Sequence, residues 1–421
     1  MLGWEYPPKI TGGLGVASQG IAEALADKGY KVSFLLPKKS RLQVSQHVKL
    51  MDASKIKPDL DYWKKKKTVT EIIQETELGT RLLPYLPPET FVIAKEKQQT
   101  IEVLESTTES DLLENITLTG DYEGELATEL LKYALIAVQV ARKEKPKLIH
   151  AHDWITFRAG AMIKKTLKTP LYLHVHSTEY DRNGGYAQPF VIEEERKGFD
   201  TADHIFCVSH KLKNVICEKY GVEESKISVV PNAVKLSAAE ERPKSSPKTI
   251  AFIGRLTHQK SPFTFVDVAR ELHSRGNDFK YLVIGDGYLR DALEDRVKSS
   301  NFSNKFTFTG FLDREKVMRK LNEIDLLIMP SAAEPFGLVA LEAVMKKIPV
   351  AAATGMGVAE FVPSIPQVDR WDHYNFIRMV EKLMKDKTYR KSVVENCLAE
   401  AKGLIWKKSA EIIDGKYLNP K

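Results

Sequence analysis

A chain of 421 residues is too long for one ordinary hydrophobic core and points to two domains. With 43% hydrophobic and 28% charged residues, the composition is that of a soluble globular protein. The formal charge of +7 is mild for this length; it suits an anionic ligand or weak attraction to a membrane surface, and without a basic helix or aromatic platform it excludes a nucleic-acid binder.

Cys207, Cys217 and Cys397 are few, odd in number and unclustered, which fits a reducing compartment. The N-terminus has no apolar signal core, and no apolar run is long enough to cross a bilayer, so the expected location is the cytoplasm. Met1 to Pro8 reads as the end of a first strand and its loop; the apolar lead-in is missing, which suggests a truncated or misassigned start. Gly12-Gly13-Leu14-Gly15 follows, then a helical pattern through Leu25 stopped at Gly29, then a strand from Lys31 to Leu36. This is a strand–glycine loop–helix–strand unit, the opening of a doubly wound domain.

Residues from about 40 to 120 are polar and Thr- and Glu-rich, with short apolar pieces such as Phe91-Val92-Ile93 and Ile101-Glu102-Val103-Leu104. They read as strands and loops inserted into the first domain. Lys64 to Lys67 reads as a solvated loop, with lipid headgroup contact as the alternative. Strong helix formers run from Glu123 to Lys143. Strands are then expected at Leu148–His152, Leu171–His176, His204–Val208 and Ile227–Val230, with a helix at Phe157–Leu167 and a turn at Pro231-Asn232-Ala233. Lys235 to Lys248 carries two prolines in a polar stretch and reads as a linker.

Beyond it the alternation restarts. Strands are expected at Thr249–Ile253, Tyr281–Ile284, Lys305–Phe308, Asp325–Met329 and Val350–Ala353. Helices are expected at Pro262–Ser274, Leu289–Val297, Glu315–Leu321, Leu338–Met345, Asp372–Lys385 and Ser392–Tyr417. The fold class is therefore α/β: two doubly wound, Rossmann-like domains facing across a cleft between their strand ends. The expected division is 1–240 and 246–395, with 396–421 a C-terminal helix packing back toward the first domain.

The chemistry-bearing groups cluster at strand ends. Glu334 follows the Asp325–Met329 strand and precedes a helix whose Phe336, Gly337 and Leu338 amides would point into the crevice. Glu342 lies about one turn deeper, far enough to address another part of one ligand. Arg255 offers a planar fork and Lys260 a point charge directly after a strand, a pair that suits a diphosphate. Gly310-Phe311-Leu312 follows another strand and could stack on, or bond to, a base. Gly12-Gly13-Leu14-Gly15 could bring backbone amides to a phosphate or sugar. It is not a clean G-x-G-x-x-G, and Pro37-Lys38-Lys39 stands where a dinucleotide fold places an acid, so NAD is disfavoured.

His150-Ala151-His152-Asp153 and His174-Val175-His176 place paired histidines on one strand face. They read as buried or capping groups, with a zinc hydrolase as the alternative; His176 or Asp153 could instead touch a sugar hydroxyl. Asp59-Leu60-Asp61 has the metal-binding D-x-D spacing but follows no apolar strand.

In order along the chain, these signals resemble a GT-B-fold retaining glycosyltransferase of the glycogen/starch-synthase-like family 4 and its neighbour family 5. The matching residues are Trp4-Glu5-Tyr6-Pro7-Pro8, Gly12 to Gly15, His150-Ala151-His152-Asp153-Trp154, His176 to Arg182, Pro231-Asn232-Ala233-Val234, Gly254-Arg255-Leu256 with Lys260, and Glu334 to Glu342. The resemblance implies that Arg255 and Lys260 hold the donor diphosphate and steady the departing nucleotide, with no metal or other cofactor required. It implies that Glu342 binds the ribose and that Glu334 with its following amides addresses the sugar ring. His176 would contact the sugar, Asp153 would face the acceptor, and Gly13 would approach the phosphates. A UDP- or ADP-sugar donor and an α-glucan or other carbohydrate acceptor are then the expected partners. The departures are Ile10, where bacterial glycogen synthases carry the lysine of Lys-x-Gly-Gly, and Ser261, which replaces a common glycine. A metal-dependent hydrolase and a non-catalytic nucleotide-sugar-binding subunit are the rival readings.

Overall fold

The computed structural model describes residues 1–8, 10, 12–41, 43–59, 118–120, 126–183, 187–234 and 248–419. Outside them lie the lysine run 64–67, the apolar pieces expected near 91–104, Leu60-Asp61, the start of the helix expected from Glu123, Lys9 and most of the linker.

In the N-terminal half, β1 (Ser33–Leu36) pairs in parallel with β2 (Lys49–Asp52). The strands β3 (Ile149–His152), β4 (Leu171–Val175), β5 (His204–Cys207) and β6 (Ile227–Val229) form a second parallel set in that order. Leu2 joins the sets, bridging Leu35 on one side and Ala151 on the other. The Leu2 amide donates to the His150 carbonyl at 2.8 Å, and the Leu35 amide to that of Met1 at 3.0 Å. The opening residues thus occupy the strand position expected of them. β2 belongs to the same sheet, so residues 49–52 are framework rather than insertion.

Among the described residues the helices here are α1 (Gly13–Asp27), α2 (Leu126–Glu144), α3 (Trp154–Leu167), α4 (Glu179–Asn183), α5 (Pro189–Thr201) and α6 (His210–Tyr220). They cover a sheet whose β3, β4 and β5 are buried along their whole length, hence their near-continuous apolar runs. The sequence reading left α4, α5 and α6 out. In α5 the buried face includes Glu194 and Glu195, which breaks the apolar stripe. In α6 the stripe Leu212, Ile216, Tyr220 is present but narrow among lysines.

The C-terminal half holds β7 (Thr249–Ile253), α7 (Pro262–Ser274), β8 (Lys280–Ile284), α8 (Arg290–Lys298), β9 (Phe306–Phe308), α9 (Arg314–Lys320), β10 (Leu326–Met329), α10 (Leu338–Met345), β11 (Val350–Ala353), β12 (Gln367–Val368), α11 (His373–Lys385) and α12 (Lys387–Ala401). Its parallel strands run in the order β12-β11-β10-β7-β8-β9. The order reverses between β7 and β10, and a doubly wound sheet opens its ligand crevice at that point.

The expected single helix from Ser392 to Tyr417 is two. Residues 402–405 interrupt it around Gly403, separating α12 from α13 (Trp406–Leu418). α12 stays against the second sheet's helices, whereas α13 crosses to α1. There the Trp406 indole fits over Gly20, where an added Cβ would lie 2.2 Å from the ring. Trp406, Ala410 and Ile413 are buried, and burying a large apolar side chain contributes about 1.5–3 kcal/mol. Asp414 accepts from the Tyr30 hydroxyl and pairs with Lys28 at 3.2 Å. No helix among the described residues is long and apolar enough to cross a membrane.

Candidate active site

The crevice between the two sheets holds a cavity of about 330 Å³. Its C-terminal wall is set by the loop after β10. Gly337 adopts φ +103° to turn the chain into α10, and a Cβ there would press on Met356 Sδ at 3.2 Å and Glu334 Cγ at 3.3 Å. The Gly357 amide donates to the Glu334 carbonyl (2.9 Å) and the Val358 amide to that of Phe336 (2.7 Å), fixing the loop from behind. The Glu334 carboxylate is buried and accepts from Lys260 Nζ at 2.6 Å and Ser331 Oγ at 3.3 Å. Arg255 lines the same cavity, as do Phe336, Gly337 and Leu338. The first N–H groups of a helix have no partner within it, so this end presents donors to an anion.

One turn further, Glu342 is also buried and pairs with Arg314 at 2.5 Å. Burial raises its pKa above the ordinary glutamate value, and the Arg314 guanidinium pulls it part of the way back. Phe311 and Leu312 line the cavity, with Phe311 58% exposed and its ring free to meet a ligand face. Gly310 does not line it: at φ +69° it turns the chain where a Cβ would meet Arg290 Nη1 at 3.0 Å.

The opposite wall comes from the first domain. α1 begins at Gly13, and a Cβ there would lie 3.1 Å from Leu338 Cδ1. The start of α1 therefore meets the start of α10 across the crevice. Asp153 stands between β3 and α3 at φ +62°, ψ 162°, a conformation costly for any residue with a side chain. The rest of the loop holds it there. Its amide donates to the His174 carbonyl (2.8 Å), and its Oδ1 accepts from the His176 (3.0 Å) and Ser177 (3.4 Å) amides. Burial pushes its pKa up, against the pull of Arg182 and those two amides. His176 lines the cavity, and burial lowers its pKa to about 3, so its imidazole is neutral at ordinary pH.

Residues 124–238 match the family described as Glycosyltransferase Family 4, and residues 235–397 match Glycosyl transferases group 1. The chain is a family 4-like glycosyltransferase of GT-B fold. It is 25% identical over 369 residues to a glycogen synthase of Mycobacterium tuberculosis, covering 86% of this chain and 79% of that one. It is 24% identical over 428 residues to an uncharacterised glycosyltransferase of Methanocaldococcus jannaschii, covering 94% and 91%. In fold it is similar to sucrose-phosphate synthase from Thermosynechococcus elongatus, with a TM-score of 0.72, 18% identity and coverage of 99% and 97%.

In this glycosyltransferase the paired histidines form a buried ladder. His150 and His152 stack at 4.7 Å between ring centres, and so do His174 and His176. Across the strands, His150 Nε2 lies 3.2 Å from His174 Nδ1, and His152 Nδ1 lies 3.2 Å from His176 Nε2. Nitrogens of His150, His152 and His174 come within 4.8 Å of one another. Their ring planes, however, lie only 12–16° apart. His150 Nε2 and His174 Nδ1 face each other at hydrogen-bond distance, and a shared tetrahedral metal would require these near-parallel rings to turn.

Several lining residues carried no assigned role in the sequence. Trp154, Arg182, Asn232 and Arg314 all face the cavity. The turn at Pro231-Asn232-Ala233 follows β6, and a strand end was the signal that could have marked Asn232. Arg182 is held by Glu179 (3.1 Å) and Glu195 (2.6 Å) and donates to the Ser177 carbonyl (3.1 Å), which braces the loop carrying His176. The glycosyltransferase also ties its halves together at the start of α6. The His210 and Lys211 amides donate to Glu360 at 2.6 and 2.7 Å, and Ser209 Oγ donates to the Pro335 carbonyl at 2.7 Å.

Proposed function

We propose that this enzyme works in the cytoplasm and moves glucose or a related hexose, with retention, from a UDP- or ADP-sugar to an α-glucan or other sugar acceptor, without a metal ion. The observation that carries the reading is the convergence on one cavity of Arg255, the Lys260–Glu334 pair and the Gly13 end of α1. In this account Arg255 and Lys260 receive the diphosphate, and the α10 amides share its charge. Glu342 accepts from the ribose hydroxyls, and Phe311 and Leu312 flank the base. Glu334, paired with Lys260 at 2.6 Å, stands where positive charge grows at the anomeric carbon. His176 addresses a sugar hydroxyl and Asp153 the acceptor.

The bond from the anomeric carbon to the phosphate oxygen breaks, and its electron pair leaves with the nucleoside diphosphate. The acceptor oxygen bonds to the same face of that carbon, and its proton passes to the departing phosphate. No side chain need become a covalent nucleophile. The glycogen synthase relative supports a glucan acceptor, and an Anabaena protein of similar fold is described in complex with UDP and glucose (TM-score 0.68, 16% identity, 99% and 98% covered). Ile10, at the pocket wall where bacterial glycogen synthases carry lysine, leaves UDP and ADP as equal candidates.

The test is turnover of UDP-glucose and ADP-glucose with glycogen and smaller glucans, following nucleotide release and the anomeric configuration of the product by proton NMR. Release with an α-linked product from an α-linked donor is the expected result. An inverted product, or free sugar as the product whatever the acceptor, refutes the reading.

A further inference from the structure

Resting on the donor-site reading above, we propose that Arg314 is a positioning residue for the nucleotide: it holds Glu342 as an aimed, charged acceptor, ready for the ribose diol. Arg314 opens α9, and its backbone is fixed by Asp313, whose carboxylate caps the helix by accepting from the Lys316 amide at 2.9 Å. The other cations of α9 have partners there or beside it: Lys316 pairs with Asp313, Arg319 with Glu315, and Lys320 with Glu323. Arg314 turns away from them into the cavity and meets Glu342 on the neighbouring α10 at 2.5 Å.

Its side chain stays 35% exposed while that of Glu342 is 4% exposed. A buried carboxylate without a cation returns to the neutral acid, which is a poorer acceptor for two hydroxyls than the anion. Burial does drive Glu342 toward the acid form, and Arg314 is the group that opposes it. The other charged groups of the cavity are engaged or belong to other parts of the wall. Lys260 is on Glu334, Asp286 is on Arg290, and Arg255 stands at the end of β7; Glu5, Asp153, His176 and Arg182 line the first-domain wall. α12, which packs on the far side of α10, presents buried Val393, Cys397 and Ala401.

The experiment is calorimetric titration of the full chain with UDP and with ADP at pH 5.5, 6.5, 7.5 and 8.5, for wild type, Arg314→Gln, Arg314→Lys and Glu342→Gln. The ratio of the Arg314→Gln dissociation constant to that of wild type is expected to grow at least tenfold from pH 8.5 to pH 5.5. Arg314→Lys should restore a ratio near one, and Glu342→Gln should bind more weakly by a factor independent of pH. Arg314→Met, which keeps the aliphatic stem, replaces Arg314→Gln if the latter fails to fold. A pH-independent ratio for Arg314→Gln beside a weakened Glu342→Gln overturns the role of Arg314 alone. A wild type that binds neither nucleotide, or Glu342→Gln binding like wild type, overturns the donor-site reading and this inference with it.

Discussion

Acid should loosen this fold through its histidine ladder. His150, His152 and His174 are fully buried, with pKa values well below the ordinary 6.5, and His176 is lowered to about 3. Burial is the leading cause in each, and neighbouring rings add to it for the first three. A depressed histidine pKa means that the unfolded chain takes up a proton the folded chain refuses. Stability is therefore full above about pH 6.5 and falls below it. At pH 5.5, one unit below the unfolded value, each such histidine costs about 1 kcal/mol, so the ladder as a whole costs several kcal/mol. Glu195 works in the opposite sense. Burial raises it to about 7, so the folded state gains a proton on acidification and recovers about 2 kcal/mol over the same range.

Comparing wild type with His174→Phe isolates the ladder. The variant keeps Glu195 and loses one histidine, so its stability difference between pH 7.5 and pH 5.5 should be smaller by about 1 kcal/mol. Urea unfolding followed by tryptophan fluorescence at the two pH values measures this. Equal pH dependence in the two proteins would mean that the ladder accepts protons while folded, and the reasoning fails.

Three further outcomes are expected. Arg255→Ala should lower turnover by about two to three decades if its contact with the departing diphosphate behaves like an oxyanion donor; steady-state kinetics showing less than a threefold change removes Arg255 from the mechanism. Gly20→Val should push α13 off α1 and cost about 1–3 kcal/mol, because a Cβ already meets the Trp406 ring; a melting temperature equal to wild type contradicts that packing. Glu360→Ala removes a carboxylate from the N-terminus of α6 and unties one cross-domain contact, so kcat/KM should fall roughly fivefold. Unchanged kcat/KM would show that Glu360 has no part in shaping the cleft.

The second sheet was readable because its strands are short apolar runs between strong turn residues. Thr249–Ile253, Pro262–Ser274, Leu338–Met345 and Val350–Ala353 were expected with the boundaries found. Strand ends also pointed to the cavity, since Arg255, Glu334, Asp153 and His176 all follow strands and all line it. Less legible were features that depend on contacts between distant segments. The polar buried face of α5 makes sense only once Arg182 is seen between Glu179 and Glu195. The position of Leu2 between β1 and β3 needs both neighbours in place. The break at Gly403 is a single glycine in a helical pattern, too weak a local signal to divide α12 from α13. Arg314 is one of four cations in α9 and nothing local singles it out; only its pairing with Glu342 sets it apart.

The account stands on side-chain cations replacing a metal in expelling the nucleotide. Its most direct test is the rate of nucleotide release from UDP-glucose and ADP-glucose with glycogen, before and after exhaustive treatment with EDTA. The account predicts the same rate within twofold for the donor that is used. A rate that collapses with EDTA and returns with added zinc or magnesium contradicts it.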